Sequence, residues 1–372
     1  MDQTPFHRVA ILGVGLIGGS LGLAMRRIGF PGEIVGISRP DTIERAVELG
    51  AIDEGFGYDQ LPQALDGVDL VFVCSPIQHI IDTLPSVIAA AGPGALVTDA
   101  GSTKRQIVAA AAAAAGRKDV HFLGGHPMAG SEKSGVTAAD PFLFQNAIYV
   151  LVPDPSVPEP LHLGLRGLVR GMGARVLELS AESHDTVVAA ISHLPQLLAT
   201  SLVEMVGQLD EGDDADGAFL MLAAGGFRDL TRIASSPFAP VWKDICGTNG
   251  DRITDMISQF RQHLAQVTER VGDDALAQNF DYANRVRDTI PRDAKGFLHR
   301  LSEILVVCED KPGVIAQIAT ILSTRDVNIN DIEVVKVREG EGGTLRLGFE
   351  DDAAADLALR ILTEHDYRAR RP

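Results

Sequence analysis

The sequence predicts an α/β protein: a doubly wound parallel sheet, then an all-helical domain, then a small βαββαβ module. Three observations carry this. From His7 to about Ser180, short β-branched runs alternate with helix-like segments, the pattern of a parallel sheet with helices on both faces. After Ser180 the strand signal stops, and Val187, Val188, Ile191, Leu194, Leu198, Leu202 and Met205 recur at helical spacing. From about His299 strand-like runs return.

Taken in order, the first region carries strands at 9–12, 33–37, 70–74, 95–98, 121–124, 147–152 and 175–179. The Pro-rich piece 153–160 is a surface connection inside this region. In the helical region, residues 210–214 form an acidic, solvated loop. A later helix aligns Ile253, Met256, Ile257, Phe260, Leu264, Val267 and Val271 on one stripe, which marks a core or a subunit interface. The last region reads as strand 301–308, helix 314–323, strands 327–337 and 344–349, helix 353–363 and a short final strand. The domain boundaries expected are 1–180, 181–292 and 298–372.

A chain of 372 residues is long enough for two or three domains, each with its own core. Lys and Arg number 33 against 50 Asp and Glu, a net charge of −17 that opposes binding to nucleic acid or to an anionic membrane. Cys74, Cys246 and Cys308 are odd in number and far apart, which suggests neither a disulfide framework nor a metal site and fits a reducing cytoplasm. The N-terminus lacks a basic leader region, and the Ala-rich run after Ile107 is too short to span a bilayer.

The apolar run Val9 to Leu12 opens into Gly13-Val14-Gly15-Leu16-Ile17-Gly18, a G-x-G-x-x-G turn between a strand-like and a helix-like segment. Gly13 permits the tight turn, Gly15 lets the backbone approach a pyrophosphate, and Gly18 lets the helix pack on the strand. The following helix starts with free N–H groups facing the phosphates. This is a Rossmann-like dinucleotide site and implies redox chemistry. The second strand ends in Ser38 and Arg39, where an acidic residue would grip a ribose 2′-hydroxyl. Arg39 can hold a 2′-phosphate and Ser38 can bond a free hydroxyl, so the cofactor is NAD or NADP.

Two loops at strand C-terminal ends, 98–104 and 124–132, lie where open α/β sheets bind ligands. His126, flanked by glycines in the second, is expected to face the crevice and, with an imidazole pKa near 6.5, to take a proton from a substrate hydroxyl as hydride leaves. Ser102 is its expected hydrogen-bonding companion. In Ser192-His193-Leu194-Pro195-Gln196 the proline leaves the carbonyl of Ile191 without its usual partner, so a kink is expected, with Ser192 and Gln196 on one face. Arg228 and Arg232 are each able to clamp a carboxylate through paired hydrogen bonds.

These pieces closely resemble the prephenate dehydrogenases, including their arogenate and cyclohexadienyl relatives. The matching motifs are the glycine turn with Gly19 and Ser20, Asp99-x-Gly101-Ser102, Gly125-His126-Pro127-Met128-Ala129-Gly130, His184-Asp185, Ser192-His193-Leu194-Pro195, and residues 226–234. The resemblance implies oxidative decarboxylation of prephenate, with His126 as base and Ser102 beside it. It implies Arg232 as the substrate carboxylate clamp and Ser192, His193 and Gln196 along the pocket wall. The cofactor site it implies takes in Gly13, Gly15, Leu16, Ile17, Gly18, Ser38, Arg39 and Ser75. Many relatives carry histidine in place of Gln196 and an acidic residue in place of Ser38. A neutral amide makes no ion pair with the amino group of arogenate, which favours prephenate.

The last module is similar to the ACT domains through residues 305–314 and Val327-Asn328-Ile329-Asn330. The resemblance implies a regulatory ligand, tyrosine, held by Asp310, Gly313, Val314, Asn328 and Asn330, with the asparagines on the second strand. It also implies a homodimer. A module that only dimerises is the alternative. For the whole chain the alternatives are an arogenate or cyclohexadienyl dehydrogenase, then a 3-hydroxyacid or imine reductase, and a non-catalytic amino-acid sensor.

Overall fold

The computed structural model describes residues 5–114, 119–130, 133–212, 217–289, 301–309, 311–338 and 342–371. The chain divides into two compact units, residues 1–281 and 282–372.

The first unit is organised by an eight-stranded sheet. Its strands are β1 (Arg8–Leu12), β2 (Glu33–Ile37), β3 (Glu54–Phe56), β4 (Leu70–Val73), β5 (Leu96–Asp99), β6 (His121–Pro127), β7 (Ile148–Val152) and β8 (Arg175–Glu178), in the order β3-β2-β1-β4-β5-β6-β7-β8. The chain leaves β1 toward β2 and β3, then crosses back to β4, so the strand order reverses between β1 and β4. Alternate residues of β1 feed separate cores: Val9 and Ile11 pack with Leu21 and Met25 of the helix Leu16–Arg27, whereas Ala10 and Leu12 pack with Ile80 and Leu84 of the helix Ile77–Ala90. Burial on both faces explains why the strands read as near-continuous apolar runs.

Two features depart from the expected parallel sheet. β6 and β7 pair antiparallel. The described residues between them hold the short turn Val136–Ala138 and a further turn at 141–146 but no α-helix, and without a crossover helix the chain comes back reversed. β3 was not foreseen: at three partly exposed residues on the sheet edge it has too little apolar pattern to read. The Pro-rich connection runs over the surface from β7 to the helix Glu159–Gly171, as expected.

Residues 181–212 form one continuous helical run: Ala181–Val188, a π-turn at Ala189–His193, and Leu194–Gly212. Ser180 starts it by accepting the N–H of Ser183 (3.1 Å). The kink expected from Pro195 takes the form of the π-turn: the wider turn accommodates a proline that offers no N–H to Ile191. By length and composition this run could cross a membrane. His184, Asp185, His193 and Gln196 on it are nevertheless polar and buried against protein. Asp210, in the expected acidic loop, lies on this helix and accepts the N–H of Leu220 (3.2 Å); Asp213 and Asp214 lie outside the described residues.

The helix Lys243–Arg270 is two-natured. Ile245 and Ile253 are buried in the core shared with Ile80 and Leu84 of the helix Ile77–Ala90, while Leu264 and the following Val271 are exposed. Met221, Leu222, Leu230 and Phe238 are exposed as well, leaving an unpaired apolar surface on the helical part.

The second unit is the expected βαββαβ module. Strands β9 (Ser302–Cys308), β10 (Asp331–Arg338), β11 (Gly342–Phe349) and β12 (Arg368–Arg370) form an antiparallel sheet in the order β10-β11-β9-β12, covered by the helices Val314–Ser323 and Asp352–Glu364. Ile304, Val306, Leu345, Leu347 and Phe349 alternate onto the covered face and meet Ile318, Leu322, Ile361 and Leu362. β10 starts later than expected, so Asn328 and Asn330 lie in the approach to the strand, where Asn330 donates its N–H to the carbonyl of Gly348 (2.9 Å). Gly313 caps the first helix with φ +90°, a left-handed conformation that favours glycine, and Val314 opens that helix. Asp310 lies outside the described residues.

Candidate active site

The glycine turn sits at the C-terminal end of β1, beside the point where strand order reverses. Gly13 has φ +92° and donates its N–H to the Ile37 carbonyl (2.9 Å), and a Cβ on it would stand 2.8 Å from the Cys74 carbonyl oxygen. A Cβ on Gly18 would stand 2.3 Å from the Gly13 carbonyl oxygen, so helix and strand approach as closely as expected. Above Gly15 there is open space within 4 Å. The first intrahelical bond here is Gly19 N–H to the Gly15 carbonyl (2.8 Å), leaving the N–H groups of Leu16, Ile17 and Gly18 free of it. Ser75 presents a buried Oγ next to this turn, with no hydrogen-bond partner among the described residues. Ser38 is buried at the end of β2, and Arg39 is exposed as the N-cap of the helix Pro40–Glu48. An open cradle over a backbone glycine, unpaired N–H groups and an orphaned hydroxyl fit a dinucleotide pyrophosphate.

Under the ends of β5 and β6 lies a fully buried ion pair. Asp99 accepts the N–H of Gly101 (2.8 Å), the N–H of Gly125 (3.1 Å) and the ammonium of Lys104, which also donates to the Gly125 carbonyl (2.6 Å). A Cβ at Gly125 would stand 2.7 Å from the Asp99 carbonyl oxygen, so only glycine lets β6 lie this close. The pair pins the start of the next residue, His126.

His126 lies within β6 rather than on a loop, opposite Val150 of β7, and is buried rather than open to the crevice. Burial first, then the neighbouring His184, Lys104 and His193, push its imidazole well below the usual value near 6.5. Its Nδ1 is 2.8 Å from His184 Nε2, and His184 Nδ1 is 2.8 Å from Asp185 Oδ1. Asp185 is also held by the backbone N–H groups of Lys104 (2.7 Å) and Arg105 (2.9 Å). Burial pushes the Asp185 carboxyl up, but the bonds from His184 and from those amides outweigh it and hold the group below the usual carboxylate range.

His193, at the end of the π-turn, is buried, with its ring edge-on to Trp242 at 6.0 Å. Its Nδ1 is 3.3 Å from Asn249 Nδ2. Gln196, three residues on, is buried too and donates to the Ile233 carbonyl (3.0 Å), which ties it to the turn carrying Arg232. Ser192 is only half-buried: the π-turn places His193 and Gln196, rather than Ser192 and Gln196, inward. Arg228 and Arg232 are exposed, and neither forms an ion pair among the described residues. Ser102 is half-buried and makes no hydrogen bond to His126; the imidazole's partner is His184. His184, Asp185, Lys104 and Asn249 are the site residues to which sequence reasoning assigned no role.

A dinucleotide cradle at the switch point, with a buried imidazole at the same end of the sheet, is the equipment of a nicotinamide-dependent dehydrogenase. Residues 21–178 match the family model for the prephenate dehydrogenase nucleotide-binding domain, residues 180–284 that for the prephenate dehydrogenase dimerization domain, and residues 302–361 that for the ACT domain. The chain is 36% identical over 351 residues to the prephenate dehydrogenase of Bacillus subtilis (strain 168), covering 92% of each chain. Among solved structures it is similar to prephenate dehydrogenase from A. aeolicus, crystallised with hydroxyphenyl propionate and NAD+ (TM-score 0.68, 31% identity, 76% of this chain and 96% of that one). It is also similar to Synechocystis arogenate dehydrogenase (TM-score 0.65, 31% identity, 76% of this chain and 99% of that one). The chain belongs to the prephenate dehydrogenase family and is an NAD(P)-dependent oxidoreductase.

Proposed function

We propose that the protein oxidatively decarboxylates prephenate to 4-hydroxyphenylpyruvate, with His126 as general base. The observation that carries this is the chain His126–His184–Asp185. An ionised carboxylate only accepts, so His184 carries a proton on Nδ1, and in its neutral form the ring presents a bare Nε2. That nitrogen accepts Nδ1–H of His126, and the lone pair of His126 is left on Nε2. The relay orients the ring, as a carboxylate does behind a catalytic histidine.

A nicotinamide held in this cradle would supply the hydride acceptor for the hydroxyl-bearing ring carbon. His126 Nε2 takes the hydroxyl proton as the C–O bond becomes a carbonyl. The ring carboxylate then leaves as carbon dioxide, and its bonding electron pair completes the aromatic ring as a phenolate, which regains the proton. Aromatisation supplies the drive, so the protein contributes chiefly position and charge placement. Arg232 offers an unpaired guanidinium to a substrate carboxylate, and His193 and Gln196 form the buried part of the pocket wall with Ser192 at its margin; Ser102, half-buried in the loop after β5, is assigned to the substrate's hydroxyl rather than to the imidazole. The free N–H groups of Leu16, Ile17 and Gly18, together with Gly13, Gly15, Ser38, Arg39 and Ser75, hold the dinucleotide, with both NAD and NADP admitted by Ser38 and Arg39.

The division into domains 1–180, 181–292 and 298–372 belongs to the same proposal. So do a homodimer closed by the exposed apolar helical surface, a cytoplasmic location, and feedback by tyrosine through the ACT module at Gly313, Val314, Asn328, Asn330 and Asp310. The experiment is a steady-state matrix of prephenate and arogenate against NAD and NADP, with and without tyrosine. Cofactor reduction with release of carbon dioxide from prephenate supports the reading; reduction driven by a 3-hydroxyacid instead, or tyrosine binding without turnover, refutes it.

A further inference from the structure

Asn249 is fully buried inside the helix Lys243–Arg270, at a point where that helix departs from helical geometry (φ −130°, ψ 21°). Its side chain touches three elements. Oδ1 is 3.1 Å from Arg105 Nη2, while Nδ2 is 2.8 Å from the Asp185 carbonyl oxygen and 3.3 Å from His193 Nδ1. The chemistry of these partners permits one arrangement. A guanidinium only donates, so the amide oxygen must face Arg105; a peptide carbonyl only accepts, so the amide nitrogen must face Asp185. The second amide hydrogen is then directed at His193 Nδ1, which must carry a lone pair. Protonation of that nitrogen would set two N–H groups against each other in a buried site.

Arg105 makes the arrangement rigid, because its guanidinium is itself fixed by Asp251 (Nη1 to Oδ2, 2.8 Å) and by Asp185 (Nε to Oδ2, 3.3 Å). The groups facing His193 are the Asn249 amide, the Trp242 ring edge, the Asp185 carboxylate, which favours a charged ring, and His184, which opposes one. Burial outweighs them and pushes His193 down to about 4. Its Nε2 has no hydrogen-bond partner among the described residues.

We infer that Asn249 is a positioning residue that locks His193 as a neutral imidazole with its proton on Nε2, so that the ring donates one uncharged hydrogen bond to an acceptor oxygen of the substrate. This rests on the reading of the pocket wall given above. A neutral ring leaves the carboxylate-binding charge to Arg232. It also spares His126, since an imidazolium at His193 would weaken the base further.

The test is NMR on the full-length enzyme labelled with 15N-histidine, with the His193 signals assigned by their loss in His193→Gln. The expected result is a bare Nδ1 and a protonated Nε2 in the wild type from pH 8 to pH 5. In Asn249→Asp, whose carboxylate accepts instead of donating, the proton moves to Nδ1 and His193 titrates at higher pH. The KM for prephenate then rises about tenfold and becomes pH-dependent, while kcat changes less than threefold. A wild-type His193 that carries its proton on Nδ1, or titrates near 6.5, overturns the lock whether or not the variant folds. A correct tautomer whose Nε2 signal is unmoved by a saturating substrate analogue overturns the donor role and, with it, the assignment of this wall to substrate.

Discussion

His126 Nδ1 stands 2.8 Å from His184 Nε2, between rings inclined at 72° to each other. The base is thus oriented by a second imidazole, which is anchored in turn by Asp185 in the first helix after the sheet. Replacing His184 by Gln removes the link to Asp185 without removing the base. The expected outcome is a fall in kcat of about 10²-fold with KM within about threefold, because the wrong tautomer of His126 becomes accessible. Steady-state kinetics check this, and an unchanged kcat contradicts the relay.

The pH dependence follows from the same cluster. Burial lowers His126 well below 6.5 and His193 to about 4, so both are neutral in the native state where unfolded histidine takes a proton. The unfolded chain therefore binds more protons below pH 6.5, and the contribution of these groups to stability is complete above that value and lost as pH falls toward about 4. The acid limb of kcat/KM is expected below the ordinary imidazole range. An acid limb at 6.5 or above contradicts the burial of the base.

Much of this architecture was legible because burial on both faces writes itself into composition. β1, β2 and β4 are apolar at nearly every position, and the glycine turn follows β1 at once. His126 stood out because glycines flank it at a strand end. Its surroundings did not, since His184 is 58 residues away and the pairing is tertiary. Lys104 read as a loop residue; only the approach of β6 to Asp99, permitted by Gly125, shows it buried. Asn249 belongs to no motif, because its role depends on three partners from three separate elements. The antiparallel β6–β7 pair was missed because strand direction depends on the connection rather than on the strand.

Lys104→Met tests the buried pair. It leaves the Asp99 carboxylate without its cation and is expected to cost about 3–5 kcal/mol of stability, while Asp99→Asn together with Lys104→Met recovers part of the loss. Thermal or denaturant unfolding checks both variants. Equal stability of Lys104→Met and wild type contradicts the pairing.

The glycine turn offers a contrast within one motif. A Cβ at Gly15 meets open space, whereas one at Gly18 meets the Gly13 carbonyl at 2.3 Å. Gly15→Ala is therefore expected to keep its melting temperature and weaken NAD(P) binding at least tenfold, because the methyl occupies the cradle. Gly18→Ala is expected to lose stability even without cofactor, by about 1–3 kcal/mol. Melting curves and cofactor titration separate the two, and equal behaviour of the variants contradicts the assigned roles.

The most direct test of the central claim is turnover of prephenate by His126→Asn beside wild type, followed as NAD(P)H and carbon dioxide at saturating cofactor. An asparagine fills much the same space and offers no base. The account predicts a fall in kcat of about 10²- to 10⁴-fold with little change in KM. Turnover at the wild-type rate contradicts it.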